Sequence, residues 1–265
     1  MENIFVPTDF SQVASVACDA AIQLASFRKA KIHFYHSLSE QLQEAQSAIE
    51  DVDAQLKHWQ GEAGKANVHA TFSHSTGSLI PNIESYVQEV DPDLIVMGSH
   101  GVSGKQEYFI GSNTQKTIRK IRKPVLVIKD VLPHFPFKHI VYASSFEQRD
   151  ESDFQYFLEW VKPFEPVIHL LAINTLSFFT QPAVIMQSAL NHFKDLCRPL
   201  SCQTHFFRDI NIEAGIRHFS DEYQVDLIAI SNSRRHPVKR LLSGSTVEFL
   251  INHSYRPVLT IDGPQ

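Results

Sequence analysis

No apolar run in this chain approaches the length needed to span a bilayer, so a membrane-embedded protein is not expected. The opening "MENIFVPTDFS" has no basic stretch followed by a long apolar one and does not read as a secretory leader. Basic residues are not in excess: 24 Lys and Arg stand against 29 Asp and Glu, a formal charge of -5, which gives no reason to expect nucleic acid. Cysteine is scarce. Cys18, Cys197 and Cys202 form no C-x-x-C pair, and such an odd, sparse set predicts reduced thiols and a cytoplasmic protein. Cys197 and Cys202 flank a predicted helix end, where packing or exposed thiols are expected rather than redox work. The 14 histidines are scattered and include no H-E-x-x-H. His33 and His36, like His69 and His74, fall on predicted strands at odd spacings that point to opposite faces, so no metal site is expected.

Recognisable catalytic machinery is also missing. Gly104-Lys105 is followed by Gln106, so the chain has no Walker A loop, and no G-x-G-x-x-G follows the first predicted strand. No nucleophile and base pair stands out, and neither does a general acid for phosphoryl transfer. An enzyme is not the expectation.

What is present is ordinary in bulk and repetitive in detail. The chain has 265 residues, 43% hydrophobic and 20% charged, enough for one large core or two of usual size. "DLIVMGSH" at Asp93 returns as "DLIAISNS" at Asp226, and "RKPVLVIK" at Arg122 returns as "YRPVLTID" at Tyr255, both offset by 133 residues. "NIFVPTDFS" at Asn3 is matched by "HIVYASSFE" at His139, offset by 136. One unit is written twice. The expected domains are residues 1–131 and 138–265, with the seam in "DVLPHFPFK", Asp130 to Lys138.

Within the first copy, short apolar runs predict strands at Ile4–Pro7, Lys31–Ser37, Val68–His74, Leu94–Met97 and Val125–Ile128. Between them Ser11 is an N-cap signal, with Val13, Val16, Ala17, Ala20, Ala21 and Leu24 behind it at helical spacing. Leu79, Ile83, Tyr86, Val87 and Val90 mark another helix face, and the second copy answers with Phe154, Phe157, Leu158 and Val161, then Ile212, Ile216, Phe219 and Tyr223. Strands alternating with helices predict an α/β fold: two tandem doubly wound domains, each with a five-stranded parallel sheet. "KTIRKIRK", Lys116 to Lys123, reads as the cationic end of a helix with Ile118 and Ile121 inward.

Ligands of such sheets bind beyond the carboxyl ends of the strands, where the strand order reverses. "GSHGVSGKQEYFIGS", Gly98 to Ser112, leaves the fourth strand on that side. Gly98 offers close approach to the backbone, Gly101 and Gly104 can take positive φ and form an anion nest, and Ser112 reads as the N-cap of the next helix. The glycines alone fit a simple turn equally well.

G-x-x-G, nine residues, then G-[S/T] is the pattern of ATP-binding universal stress proteins, and Gly98, Gly101, Gly111 and Ser112 match it without a gap. With "VPTDFS", "DLIVMGSHG" and "KPVLVIK" in order, the chain resembles a tandem universal stress protein. The resemblance implies an adenine nucleotide alpha hydrolase-like sheet ordered 3-2-1-4-5 and an ATP, ADP or AMP ligand, with Mg²⁺ a candidate companion of the phosphates. It assigns Asp9 to the adenine end, with Pro7, Thr8 and Met97 lining the pocket. The loop residues Gly98, His100, Gly101, Gly111 and Ser112 would hold ribose and phosphates, and Asn113 and Thr114 would add donors. The implied role is a nucleotide-binding stress or regulatory protein; a weak ATPase and a nucleotide-independent scaffold for another small ligand are the alternatives. The family also implies pairing of the two domains within the chain, with a homodimer as a further partner arrangement.

The second copy departs from the pattern. Ser231 and Arg234 replace the two leading glycines, Ser145 replaces Asp9 and Pro237 removes an N–H, while Gly244 and Ser245 are kept. This copy is not expected to bind ATP in the family manner. Arg234, Arg235, Lys239 and Arg240 could grip an anion, but a solvated basic face is the preferred reading.

Overall fold

Ile4, Phe5 and Val6, Leu94 to Met97 and Val125 to Ile128 are all buried, as expected of strands covered on both faces. They lie in β1 (Asn3–Pro7), β4 (Leu94–Gly98) and β5 (Val125–Ile128). The computed structural model describes residues 1–39, 46–99, 111–132, 134–175, 182–231 and 246–262. The chain divides into two units, Met1–Leu132 and Pro133–Gln265.

In the first unit the remaining elements are α1 (Gln12–Arg28), β2 (Lys31–Leu38), α2 (Gln46–Lys65), β3 (Ala70–Thr76), α3 (Leu79–Val90) and α4 (Ser112–Lys120). The strands are parallel and ordered β3-β2-β1-β4-β5, so β1 and β4 meet at the point where the order reverses. Ser11 caps α1 through its hydroxyl, which accepts from the Ala14 N–H at 3.2 Å. Behind it, Ala14, Ala17, Cys18, Ala21, Leu24 and Ala25 are buried, and these small side chains let α1 lie close to the sheet. Burial pushes the Cys18 thiol up to about 12, so this cysteine is an inert core residue. The cationic end of α4 is as expected, with Ile118 and Ile121 buried.

The second unit repeats the plan with β6 (His139–Ala143), α5 (Glu151–Val161), β7 (Val167–Thr175), α6 (Ala183–Leu196), β8 (Ser201–Asp209), α7 (Ile212–Glu222), β9 (Leu227–Ser231), a helix over residues 246–253 and β10 (Val258–Ile261). Its parallel order is β8-β7-β6-β9-β10, again 3-2-1-4-5. Phe135 and Phe137, inside the proline-rich seam of the sequence, pack edge-on against Phe164 in this unit, with Trp160 beside them. That segment supplies core, not a bare linker.

One carboxylate in each unit sets the central register. Asp93 Oδ2 accepts the Glu2 and Asn3 N–H groups at 2.7 and 3.0 Å, and Asp226 Oδ2 accepts those of Lys138 and His139 at 2.7 and 2.8 Å. The aspartate that opens each repeated "DLI" run therefore fastens the start of the fourth strand to the start of the first.

The expectation of reduced thiols fails for one pair. Cys197, at the end of α6, and Cys202, in β8, are disulfide-bonded, their Cα atoms 6.2 Å apart. The turn after α6 brings them within bridging range, a proximity that their five-residue spacing did not disclose. The thiol argument for a reducing compartment does not extend to these two residues.

Three histidines of the second unit, one from each of β6, β7 and β8, form a ladder that sequence reading missed. His139 Nδ1 lies 3.3 Å from His169 Nε2, and His169 Nδ1 lies 3.1 Å from His205 Nε2. Phe219 of α7 and Tyr223, just past its end, cover the rings of His169 and His205. In the first unit His33 stands alone at the matching place, between Thr71 Oγ1 and Ser73 Oγ at 2.8 Å each and beneath Tyr86. Burial pushes both His33 and His169 down to about 4, the neighbouring imidazoles adding to the effect at His169. A histidine lowered on folding contributes stability that is full above the unfolded value near 6.5 and is lost as pH falls towards 4. The denaturation midpoint of the second unit is therefore expected to fall between pH 7.5 and pH 5. The His169→Phe variant should lose about 1–2 kcal/mol of that pH dependence, and an unchanged dependence in urea titrations would contradict the assignment.

Candidate functional site

β1 and β4 share ladder pairs only near their amino ends. They pair at Ile4↔Leu94 and Phe5↔Ile95, and no later pair forms between them. β1 stays on β2 as far as Pro7↔Tyr35, and β4 stays on β5 as far as Gly98↔Ile128. The Thr8 N–H is given to the Tyr35 carbonyl at 2.8 Å, so the alternating N–H at position 7 is the one directed at β4. Position 7 is proline and has no N–H to give. The β1–β4 ladder stops short of the switch point for that reason.

In the second unit the matching ladder runs further. β6 and β9 pair through four positions, from Ile140↔Leu227 to Ala143↔Ile230. Ala143 stands where Pro7 does, and its N–H is available to the ladder.

The segments that flank the carboxyl ends of β1 and β4 differ in character. Beyond β1 the chain passes buried Thr8 and half-buried Asp9 and turns at Phe10, whose φ is 60°. Thr8 Oγ1 accepts the Phe10 N–H and Asp9 Oδ1 accepts the Ser11 N–H, each at 3.1 Å, which leads the chain into α1. Beyond β4 lies the amino end of α4. Helix α4 begins at Ser112 with Gly111 at the N-cap position, so Ser112 is the first helical residue and not the cap expected from sequence. A glycine cap brings no side-chain acceptor, and the first turn carries no acidic residue. Ser112 and Asn113 are exposed there, and the N–H groups of this turn with the positive end of the helix suit an anion.

Two predicted residues serve the frame. Thr114 is 4% exposed, and its hydroxyl donates to the Gly98 carbonyl at 2.8 Å, which pins α4 to the end of β4. At Gly98 an added Cβ would lie 3.0 Å from the Val13 carbonyl carbon and oxygen and 3.1 Å from the Ala14 nitrogen. The space that the sequence suggests for ligand approach is filled by the backbone of α1. Pro7 and Met97 are buried strand residues. His100 and Gly101, with Gly104, lie outside the described residues, as do Arg234, Arg235, Pro237, Lys239, Arg240, Gly244 and Ser245.

The matching corner of the second unit is anionic. Buried Asp150 accepts from Ser144 Oγ, Ser145 Oγ and the Glu147 N–H at 2.8, 3.0 and 3.1 Å. Ser231, at the place of Gly98, donates to Asp153 Oδ2 at 2.5 Å. Burial and these two aspartates push the Tyr142 phenol well above its ordinary value. Ser145, where the first unit has Asp9, is thus a donor to an internal carboxylate.

Fold and site together define a tandem doubly wound α/β protein whose central ladder ends early at the switch point of its first unit. The chain belongs to the universal stress protein family, whose sequence profile matches residues 1–129 and 202–262. It is 25% identical over 153 residues to universal stress protein MJ0577 of Methanocaldococcus jannaschii, covering 48% of this chain and 94% of that protein. It is likewise 25% identical over 145 residues to universal stress protein YxiE of Bacillus subtilis, covering 48% of this chain and 98% of the relative. A universal stress protein of Archaeoglobus fulgidus shares the fold along the whole length, with a TM-score of 0.74 at 17% identity over 97% of both chains. No helix among the described residues is long and apolar enough to cross a membrane.

The contact at Gly98 yields a stability test. Gly98→Ala sets a methyl against helix backbone that cannot rotate away, at a cost of about 1–3 kcal/mol to the first unit. Chemical denaturation measures it, and a variant as stable as the parent would show that α1 does not occupy that space.

Proposed function

We propose that the first unit binds an adenine nucleotide at the open end of β1 and β4 and acts as a ligand-responsive stress or regulatory protein, with the second unit not binding nucleotide in that manner. The observation that carries this reading is the contrast between the two switch points. One ladder ends before Pro7 beside an acid-free helix start, and the other stays paired through Ala143↔Ile230.

The residues fit such a ligand chemically. The N–H groups of the first turn of α4 favour phosphate, which needs fixed donors and a positive dipole end. Asp9 is the acceptor proposed for the adenine end, since a carboxylate can take N–H groups from the base or O–H groups from the ribose. Exposed Ser112 and Asn113 are the side-chain donors nearest that turn, while the Thr114 hydroxyl already serves Gly98. In the second unit the donors of the β6 to α5 turn converge on Asp150, and a polyphosphate brought there would meet two carboxylates. Membership of a family whose glycine pattern the chain carries at Gly98, Gly101, Gly111 and Ser112 supports the same reading.

Calorimetric titration of the full chain with ATP should give one site per chain. Asp9→Ala should weaken binding by about tenfold or more, the scale of losing a hydrogen bond to a charged group. Ser145→Ala should leave the stoichiometry at one. Two equivalent sites, or ATP affinity indifferent to Asp9, would overturn the proposal.

A further inference from the structure

We propose that His36 is a positioning residue of the first unit, fixing the turn that carries Asp9 by tying the chain after β1 to β2. This rests on the nucleotide reading for its functional consequence, but its geometry is independent of any ligand.

His36 follows Tyr35, the last β2 residue paired with β1. Its Nδ1 lies 2.8 Å from the Thr8 carbonyl oxygen. A carbonyl only accepts, so the proton is on Nδ1 and this neutral ring keeps a bare Nε2. Burial lowers His36 from its ordinary value, although the contact with the Thr8 carbonyl and then Asp9 pull the other way; His74, itself 3.2 Å from Asp53, adds to the lowering. The Phe10 ring stacks on the imidazole, centroids 4.6 Å apart at 18°. Thr8 and Phe10 are thus both held by His36, and Asp9 is the residue between them. With the Thr8 N–H given to Tyr35, two consecutive contacts bind the end of β1 to β2.

The second unit is a natural comparison. By the pairing of Ala143 with Leu171, its residue at the His36 place is Ala172. Phe146 keeps the same left-handed turn at φ 53°, but its ring goes to Tyr142 and Phe193. The remaining tie to the neighbouring strand, Ser144 N–H to the Leu171 carbonyl, is long at 3.4 Å, and there β6 is zipped to β9. The histidine, the aspartate and the proline that ends the ladder are lost together.

The test uses the full chain, its His36→Leu and His36→Asn variants, ATP titration and imidazole ¹⁵N spectra. Asn places an amide N–H about where Nδ1–H sits, whereas Leu has no donor. The parent should show His36 as the Nδ1–H tautomer. His36→Leu should lose about tenfold in ATP affinity and His36→Asn should stay within about threefold of the parent. Both variants should remain folded by circular dichroism. If His36→Leu fails to fold, the tautomer and the His36→Asn affinity decide. Binding by His36→Leu within about twofold of the parent, an Asn variant as weak as the Leu variant, or a bare Nδ1 in the spectrum overturns the inference while leaving the nucleotide reading intact. A parent chain that binds no ATP overturns that reading, and this inference with it.

Discussion

The central strand pair of each unit is fixed by an aspartate that takes two backbone N–H groups from the start of the neighbouring strand. Asp93 and Asp226 do the same work 133 residues apart, each at under 3.1 Å to both donors. Because the clamp sits at the amino end of the pair, it sets register without closing the carboxyl end. Everything at the switch point depends on what happens four or five residues later. A ladder anchored at one end can be opened at the other by one missing donor.

That donor is missing in the first unit and present in the second. Pro7 ends the β1–β4 pairing early, while Ala143 lets β6 and β9 continue. Other differences follow the same division. Where the first unit has Gly98 against the backbone of α1, the second has Ser231 bonded to Asp153. Where the first has Asp9 in a turn held by His36, the second has Ser145 serving buried Asp150. The duplicated fold thus carries two different ends: one with a shortened β1–β4 ladder beside a helix start that has no side-chain cap, the other with its donors already matched by internal carboxylates. A buried acceptor in place of a ligand satisfies the turn's polar groups without an external anion.

The fold was legible because its signals are local. The apolar runs of β1, β4 and β5, the Ser11 cap and the twofold repeat of "DLI" and "PVL" are each readable within a few residues. The glycine loop was legible as a pattern, but the reason for Gly98 was not, since its partner is the backbone of Val13, far away in sequence. Ser112 looked like a cap because serine commonly is one; the helix instead takes Gly111 there and leaves the turn uncapped. His36 was weighed only as a metal ligand, a question of which face of a strand it occupies. Its contact with the Thr8 carbonyl needs the register of β2 on β1, which composition and spacing do not carry. The same holds for Cys197 and Cys202, paired by a turn, and for the three histidines aligned across β6, β7 and β8.

The central claim is that one strand pair is open to a nucleotide and its copy is not. Hydrogen–deuterium exchange of the full chain, with and without ATP, addresses both halves in one experiment. Protection is expected in peptides covering Val6 to Ser15 and Gly111 to Thr117, with none in those covering Ala143 to Asp153. Equal protection in both units, or none in the first, would contradict the account.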